Sequence, residues 1–206
     1  MIGIIDYGMG NLSSVQNALK HLEIESRILS APDQMTGCQR IILPGVGAFG
    51  KAMENLSSGG WTDPIGQWAE KGRPLLGICL GMQLLCEEST EFGLTKGLAL
   101  LPGRVDLMRP EGLTIPHMGW NSLHIVKPHP LLAGVHEGDD VYFVHSYALE
   151  GQEDVWLATA EYGSRVPAVI GRGSVAGCQF HPEKSLKPGL AILRAFSDWD
   201  GQDQTR

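Results

Sequence analysis

Short apolar runs alternate with amphipathic segments in the first half of the chain. The apolar runs predict four strands, over residues 2–6, 24–29, 40–43 and 74–79. Periodic apolar positions predict three helices, over residues 12–22, 64–71 and 80–88. Strands that alternate with helices are typical of a parallel sheet whose strands are joined by crossover helices.

The second half of the chain changes character, because apolar runs follow one another with few helical patterns between them. Six strands are predicted there, over residues 104–108, 122–126, 141–147, 155–160, 166–170 and 175–180. A last helix is predicted over residues 188–199. We therefore expect a single α/β domain over residues 1–200, with a mixed, mainly parallel central sheet flanked by helices and with antiparallel strands in its second half. The polar residues 201–206 are expected to form a frayed tail.

The composition is that of an ordinary globular protein. Of the 206 residues, 43% are hydrophobic and 19% are charged, which is enough apolar material to bury a core without disulfides or metal ions. The formal net charge of −7 offers no basic surplus for nucleic acid or an anionic membrane, so we expect neither as a partner.

The four cysteines indicate neither a metal site nor a disulfide framework. They form no CxxC pair, and no cysteine–histidine cluster has the spacing of a zinc site, so we expect no metal ion and no cofactor. The N-terminus lacks the features of a signal peptide, and no apolar stretch is long enough to cross a membrane. These features favour a reducing cytoplasm with free thiols.

Residues 77–81, with the sequence Gly-Ile-Cys-Leu-Gly, carry the strongest chemical signal. They match the glycine-flanked turn that holds a nucleophile between a strand and a helix, with cysteine in place of serine. Glycine is needed on both sides because side chains would clash in so sharp a turn. A buried structural cysteine is the alternative, but the flanking glycines favour Cys79 as a nucleophile.

A cysteine nucleophile needs a base and a group that orients the base. His181 follows a predicted strand and is a candidate base, and Glu183 lies two residues further on. Side chains two residues apart in an extended chain share one face, so Glu183 can orient the imidazole. On its own this pair could equally be a solvated loop pair, but together with Cys79 it predicts a catalytic triad. Most of the other histidines are expected on the surface or in loops.

Acyl transfer also needs donors for the oxyanion. The backbone N–H of Leu80, directly after the nucleophile, is one candidate. Residues 44–47, with the sequence Pro-Gly-Val-Gly, end another predicted parallel strand and could present a second donor at Val46 or Gly47. A plain turn is the alternative interpretation of this segment.

Two segments resemble the class I, or triad, glutamine amidotransferases. They are residues 77–83 and 179–185, which contain the cysteine and the histidine–glutamate pair. Further segments resemble, within that class, the family of glutaminase subunits of imidazole glycerol phosphate synthase: residues 5–11, 44–49, 116–121 and 142–147. The resemblance covers nearly the whole chain and implies a flavodoxin-like class I glutaminase fold.

The resemblance implies roles for individual residues. Cys79 would attack the side-chain amide of glutamine and form a glutamyl thioester, and water would then release glutamate. Residues that match glutamine-holding positions are Gly47, Gln83, Glu91, Ser146 and Tyr147.

The resemblance also implies a partner. Ammonia would pass into a separate (β/α)₈-barrel cyclase subunit that makes imidazole glycerol phosphate and an aminoimidazole carboxamide ribotide in histidine biosynthesis. Trp120, Asn121 and Lys184 match positions near that partner. The chain departs from the family's usual pattern at Val166 and over residues 171–174, which bears on local packing or on the interface and not on the catalytic residues.

Three alternatives stay open at this point. One is another triad amidotransferase, such as the glutaminase of an anthranilate or pyridoxal phosphate synthase, although those families lack the sequence Pro-His-Met-Gly-Trp-Asn found at residues 116–121. A second is a stand-alone cysteine hydrolase of the same fold. The third is a catalytically silent docking subunit, against which the intact residues Cys79, His181 and Glu183 argue.

Overall fold

The computed structural model describes residues 1–203. Its helices are α1 Leu12–His21, α2 Phe49–Ser58, α3 Thr62–Glu70, α4 Leu80–Leu84 and α5 Leu186–Asp198. Its strands are β1 Ile2–Ile5, β2 Ser26–Leu29, β3 Arg40–Gly45, β4 Leu75–Cys79, β5 Glu88–Ser89, β6 Thr95–Lys96, β7 Arg104–Leu107, β8 His117–Ser122, β9 His124–Ile125, β10 Asp140–His145, β11 Tyr147–Glu150, β12 Trp156–Glu161, β13 Arg165–Arg172 and β14 Val175–Cys178.

The central sheet contains eight strands in the order β2-β1-β3-β4-β14-β13-β12-β9. The pairs from β2 to β14 are parallel, and the pairs from β14 to β9 are antiparallel. The predicted single α/β domain with a mixed, mainly parallel sheet is therefore confirmed. Two smaller sheets stand beside it, one formed by β8 and β10 and the other by β11, β7, β5 and β6.

Both faces of the parallel half are buried, which explains its continuous apolar runs. Along β3, Ile41 and Leu43 pack in the core that contains α2 and α3, whereas Ile42 packs in the core that contains α1 and α5. Successive strand side chains point to opposite faces, so an apolar run without alternation is what a strand between two helical layers requires.

Several predicted elements differ from those observed. The helix predicted over residues 80–88 ends at Leu84, because the backbone N–H groups of Leu98 and Leu100 donate to the carbonyls of Leu84 and Leu85. Helix α2 and most of strand β8 had no predicted counterpart. The strand predicted over residues 141–147 is interrupted at Ser146 and divides into β10 and β11.

The end of the described chain packs against the body of the protein. The indole nitrogen Nε1 of Trp199 donates to the carbonyl of Gln202 over 2.7 Å, and the N–H of Gly173 donates to a carboxylate oxygen of Asp203 over 3.0 Å. The rest of the predicted tail, residues 204–206, lies outside the described residues. Within residues 1–203, none of the helices combines the length and the apolar character that crossing a membrane requires.

Candidate active site

Cys79 stands at the junction of β4 and α4 in a backbone conformation that is rare for a residue with a side chain. Its φ is 54° and its ψ is −113°. A Cβ on Gly77 would lie 2.6 Å from the carbonyl oxygen of Gly81, and a Cβ on Gly81 would lie 1.8 Å from that of Leu43. Glycine at both positions is therefore a steric requirement of the turn that exposes the thiol to the cavity.

His181 and Glu183 form a buried pair shortly after β14, and Glu183 lies in a 3-10 turn over Pro182–Lys184 rather than in an extended chain. His181 Nδ1 and Glu183 Oε1 are 2.8 Å apart, and both side chains are at most 3% exposed. The segment is held to β10, since His181 donates its backbone N–H to the carbonyl of Tyr142 over 3.0 Å. The Ser185 hydroxyl also accepts from the N–H of Tyr142 over 2.9 Å.

The electrostatics of His181 favour its protonated form. Burial lowers the pKa of the imidazole, but the hydrogen bonds and charges of Cys79 and Glu183 outweigh burial and raise this pKa to about 9. A protonated imidazole at this position can give its proton to a leaving group.

One cavity of about 470 Å³ brings the nucleophile and the histidine together with the other predicted site residues. Glu183 stands behind His181 and does not line the cavity. The predicted oxyanion and glutamine-binding residues all line it: Val46, Gly47, Leu80, Gln83, Glu91, Ser146 and Tyr147. The cavity is also lined by three residues that the sequence did not single out, namely Phe92, Val144 and His145.

Two of the predicted glutamine-binding side chains are engaged in hydrogen bonds. A carboxylate oxygen of Glu91 accepts from the backbone N–H of Phe49 over 2.6 Å, at the start of α2. Gln83 Nε2 donates to the carbonyl of Tyr147 over 2.9 Å and to Gln179 Oε1 over 3.0 Å. Sequence reasoning missed Gln179, although its place two residues before His181, at the end of the strand predicted over residues 175–180, was a usable signal.

The other three cysteines are buried and are not part of the cavity. Burial raises the pKa of the Cys86 thiol to about 12, with a further contribution from Glu87. Burial likewise raises the pKa of the Cys178 thiol well above its ordinary value. These two thiols are poor nucleophiles near neutral pH, because the reactive species is the thiolate.

The three residues predicted to contact a partner differ in exposure. Trp120 is half-exposed, and its ring meets the ring of Tyr142 edge-on with the centroids 6.0 Å apart. Lys184 is exposed, with Nζ 6.0 Å from the centre of the Tyr142 ring. Asn121 is half-buried and directs its amide inward, to a ring nitrogen of His117 and to the carbonyl of Glu161.

Most of the remaining histidines lie on the surface or in a loop, as expected. His21, His124 and His136 are exposed and the buried His129 lies in a loop, but His117 and His145 are buried in strands β8 and β10. The sequence around an isolated histidine does not show whether the fold supplies a hydrogen-bond partner for its ring. The described part of the chain contains no cluster of three or more histidine, cysteine or acidic side chains that could hold a metal ion.

Comparison with known proteins identifies the class of protein to which this fold and cavity belong. The sequence model of the class-I glutamine amidotransferase family matches residues 3–198. This chain therefore belongs to the class-I glutamine amidotransferase family.

Two similar proteins have names that are more specific than the family's. The imidazole glycerol phosphate synthase subunit HisH of Desulfitobacterium hafniense is 50% identical over 206 residues, which cover 100% of this chain and 97% of the relative. The protein of the same name from Halalkalibacterium halodurans is 53% identical over 203 residues, with 95% and 94% of the two chains covered. A solved glutamine amidotransferase structure with 21% identity has the same fold, with a TM-score of 0.75 and coverage of 96% and 97%.

Proposed function

We propose that this chain is the glutaminase subunit of an imidazole glycerol phosphate synthase. It hydrolyses glutamine to glutamate and ammonia and delivers the ammonia to a separate (β/α)₈-barrel cyclase subunit. The observation that carries the proposal is the meeting of Cys79 and His181 in one cavity, with Glu183 hydrogen-bonded behind the imidazole. Full-length identity of about 50% to synthase subunits supports the particular assignment.

In the first half of the reaction, the Cys79 sulfur attacks the side-chain amide carbon of glutamine. The carbonyl oxygen becomes an oxyanion, and His181 gives its proton to the departing nitrogen, so that ammonia leaves and a glutamyl thioester remains. In the second half, water attacks the thioester while His181 takes a proton from it. Glutamate is released and the Cys79–His181 pair is restored.

The backbone N–H of Leu80 is the first oxyanion donor in this mechanism, as expected for the residue after the nucleophile. The segment around Val46 and Gly47 supplies the second donor. Gly47 has a φ of 100° in this structure, and glycine can adopt this and other backbone conformations that a side chain would forbid. A rotation that aims or withdraws one N–H switches the reaction on or off.

The proposal also assigns roles to the residues around the catalytic pair and on the nearby surface. Gly47, Gln83, Glu91, Ser146 and Tyr147 hold glutamine, and their shared cavity supports this role. Trp120, Asn121 and Lys184 lie at the interface with the cyclase subunit, which the exposure of Trp120 and Lys184 supports. A cytoplasmic location agrees with four buried cysteines that are all free.

The proposed function is tested by measuring glutamate release from this chain alone, with a barrel synthase, and with the synthase and its ligand. We expect a stepwise rise of at least about tenfold in total, because the partner favours the conformation that completes the oxyanion hole. Full activity of the isolated chain would favour a stand-alone hydrolase. No glutamate under any condition would favour a silent docking subunit.

The nucleophile is tested separately with an electrophilic glutamine analogue and peptide mapping by mass spectrometry. We expect the label on Cys79 alone. Burial keeps the thiols of Cys86 and Cys178 protonated, and Cys38 lies outside the cavity. Dominant labelling of any of these three would refute the assignment of Cys79.

A further inference from the structure

Two buried histidines adjoin the cavity and have no part in the mechanism above. His145 lines the cavity, and His117 lies directly opposite it on the neighbouring strand β8. They are 7% and 2% exposed. The His117 ring stacks on the rings of Phe143 and Tyr162, with centroid distances of 4.4 Å and 4.1 Å. This packing holds the His117 ring in one orientation.

Hydrogen bonds fix the proton positions of both rings. His145 Nδ1 is 2.9 Å from the carbonyl oxygen of Tyr147, which can only accept, so Nδ1 carries the proton. His145 Nε2 then accepts from His117 Nδ1, 3.0 Å away. His117 Nε2 in turn accepts from Asn121 Nδ2 over 3.1 Å. Each donor meets an acceptor only when both rings are neutral and protonated on Nδ1.

Burial favours the same neutral state. It lowers the pKa of both His117 and His145 to about 4. The hydrogen bond to the Tyr147 carbonyl opposes this effect at His145, but the neighbouring rings of His117 and His181 reinforce it. The pair therefore carries no charge near neutral pH and serves as a rigid hydrogen-bonded link.

At its inner end this link is connected by hydrogen bonds to side chains near Cys79. The Tyr147 carbonyl, which accepts from His145, accepts a second hydrogen bond from Gln83 Nε2 over 2.9 Å. Gln83 Nε2 also donates to Gln179 Oε1, and Gln179 Nε2 lies 3.9 Å from the Cys79 sulfur. One backbone carbonyl thus joins the histidine pair to the polar side chains around the thiol.

The outer end lies on a strand with two different faces. Met118 and Trp120 of β8 are 60% and 51% exposed, whereas His117 and Asn121 of the same strand face inward. Asn121 has its amide fully engaged, because Nδ2 also donates to the carbonyl of Glu161 over 2.8 Å. The strand that presents apolar side chains to the outside therefore holds the histidine pair on its inner side.

We propose that His145 and His117 are positioning residues for glutamine, which act by fixing the Tyr147 carbonyl and the adjoining backbone of the cavity against strand β8. The inference rests on the proposed function, because it takes the cavity to be the glutamine site. Loss of the link lets Ser146 and Tyr147 move, so it weakens glutamine binding more than it slows attack by Cys79.

The first test uses the unmodified full chain, labelled with ¹⁵N at histidine, and records the ring nitrogens by NMR at neutral pH. We expect both His117 and His145 to be neutral and protonated on Nδ1, because that tautomer is set by the hydrogen bonds described. Assignment comes from the spectra of single variants. A proton on Nε2 of either ring, or a charged ring at neutral pH, would overturn the inference.

The second test compares two substitutions at one position in the complex with the synthase. Asparagine in His145→Asn places an amide near the Nδ1 position and can still donate to the Tyr147 carbonyl, whereas His145→Gln extends past it towards His117. We expect His145→Gln to raise the KM for glutamine about tenfold with a smaller change in kcat. The KM of His145→Asn should stay close to that of the unmodified complex.

His129→Asn is the matched control, since His129 is equally buried but contacts Leu131 and Trp199 away from the cavity. Its KM should not change. Equal KM values for the two His145 variants would refute the inference. The proposed function would stand in that case, provided that the unmodified complex uses glutamine. An unmodified complex that makes product from ammonia but not from glutamine would refute the proposed function instead. If His145→Gln does not fold, the NMR test on the unmodified chain still decides.

Discussion

The first and second halves of the chain build the site by different physical means. The first half supplies Cys79 and the segment around Gly47 at the carboxyl ends of β4 and β3, where open α/β sheets place their ligands. Backbone contacts that only glycine permits hold these residues, as at Gly81 against Leu43. In the second half, by contrast, His181 is held by hydrogen bonds between buried polar groups.

This difference predicts how each half fails. A glycine-dependent turn tolerates no added atom, so a substitution there acts through steric overlap and backbone strain. A hydrogen-bonded set of polar side chains tolerates a change of shape but not the loss of a donor, an acceptor or a charge. The variants below test the two halves separately.

The largest effect is expected from Cys79→Ala, which removes the nucleophile without disturbing either half. Glutamine-dependent synthesis should fall by at least about a thousandfold, because covalent catalysis is lost. Ammonia-dependent synthesis takes place on the partner and should persist, which provides the control for assembly. His181→Ala is expected to behave similarly. Continued use of glutamine by Cys79→Ala would contradict the mechanism.

Gly47→Val strains the backbone of the segment that follows β3. The φ of Gly47 is 100°, and a Cβ there would lie 2.8 Å from the terminal methyl carbon of Met9. We expect the activated rate to fall by roughly 10²–10³, the cost of one oxyanion donor, with little change in partner affinity. Gly37→Val is the control, since Gly37 also has positive φ but no neighbour within 4 Å. Lost partner binding with a preserved rate would make the segment an interface element.

Gly81→Ala tests the close approach of α4 to β3 through stability. Its added Cβ would lie 1.8 Å from the carbonyl oxygen of Leu43, so we expect the free energy of unfolding to fall by about 1–3 kcal/mol or more. The comparison is Gly66→Ala in helix α3, where no atom lies within 4 Å and a gain of about 0.5–1 kcal/mol is expected. Urea unfolding measures both, and equal stabilities would show that packing at the turn is not restrictive.

Glu183→Gln tests the hydrogen-bonded polar groups around His181. It should leave more activity than Cys79→Ala, because it removes an orienting charge and not the nucleophile. Above a pH of about 9 the His181 imidazole loses its proton, so the rate of the unmodified enzyme should fall there. Without the Glu183 charge this decline should begin at lower pH. A pH–rate profile of both enzymes decides, and an unmoved alkaline limb would exclude the electrostatic role of Glu183.

The same pKa has a consequence for stability. His181 has a pKa raised from 6.5 to about 9 in the folded chain. The native state therefore binds this proton more tightly than the unfolded state. The resulting stabilisation is fully present below pH 6.5 and is lost as the pH rises through 9. Burial of His117 and His145 acts in the opposite direction, since their pKa values of about 4 make the native state less stable as the pH falls below 6.5.

The sequence by itself determined those features that depend on neighbours along the chain. Glycines two residues either side of Cys79 predict the strained turn, and apolar runs without alternation predict strands covered on both faces. The spacing of His181 and Glu183 predicts that the two side chains meet, and they lie 2.8 Å apart, but Glu183 stands in a 3-10 turn over Pro182–Lys184 and not in the extended chain from which the prediction was argued. Each inference needs only local geometry, which a few consecutive residues specify.

Only the tertiary structure decided the features that depend on distant partners. Helix α4 ends at Leu84 because a loop some fifteen residues later supplies the hydrogen bonds, with Leu98 donating to the Leu84 carbonyl. His117 and His145 are 28 residues apart, and nothing in the surroundings of either one indicates the other. Burial of such polar groups is favourable only when each partner is present, and the fold, not the local pattern, brings the partners together.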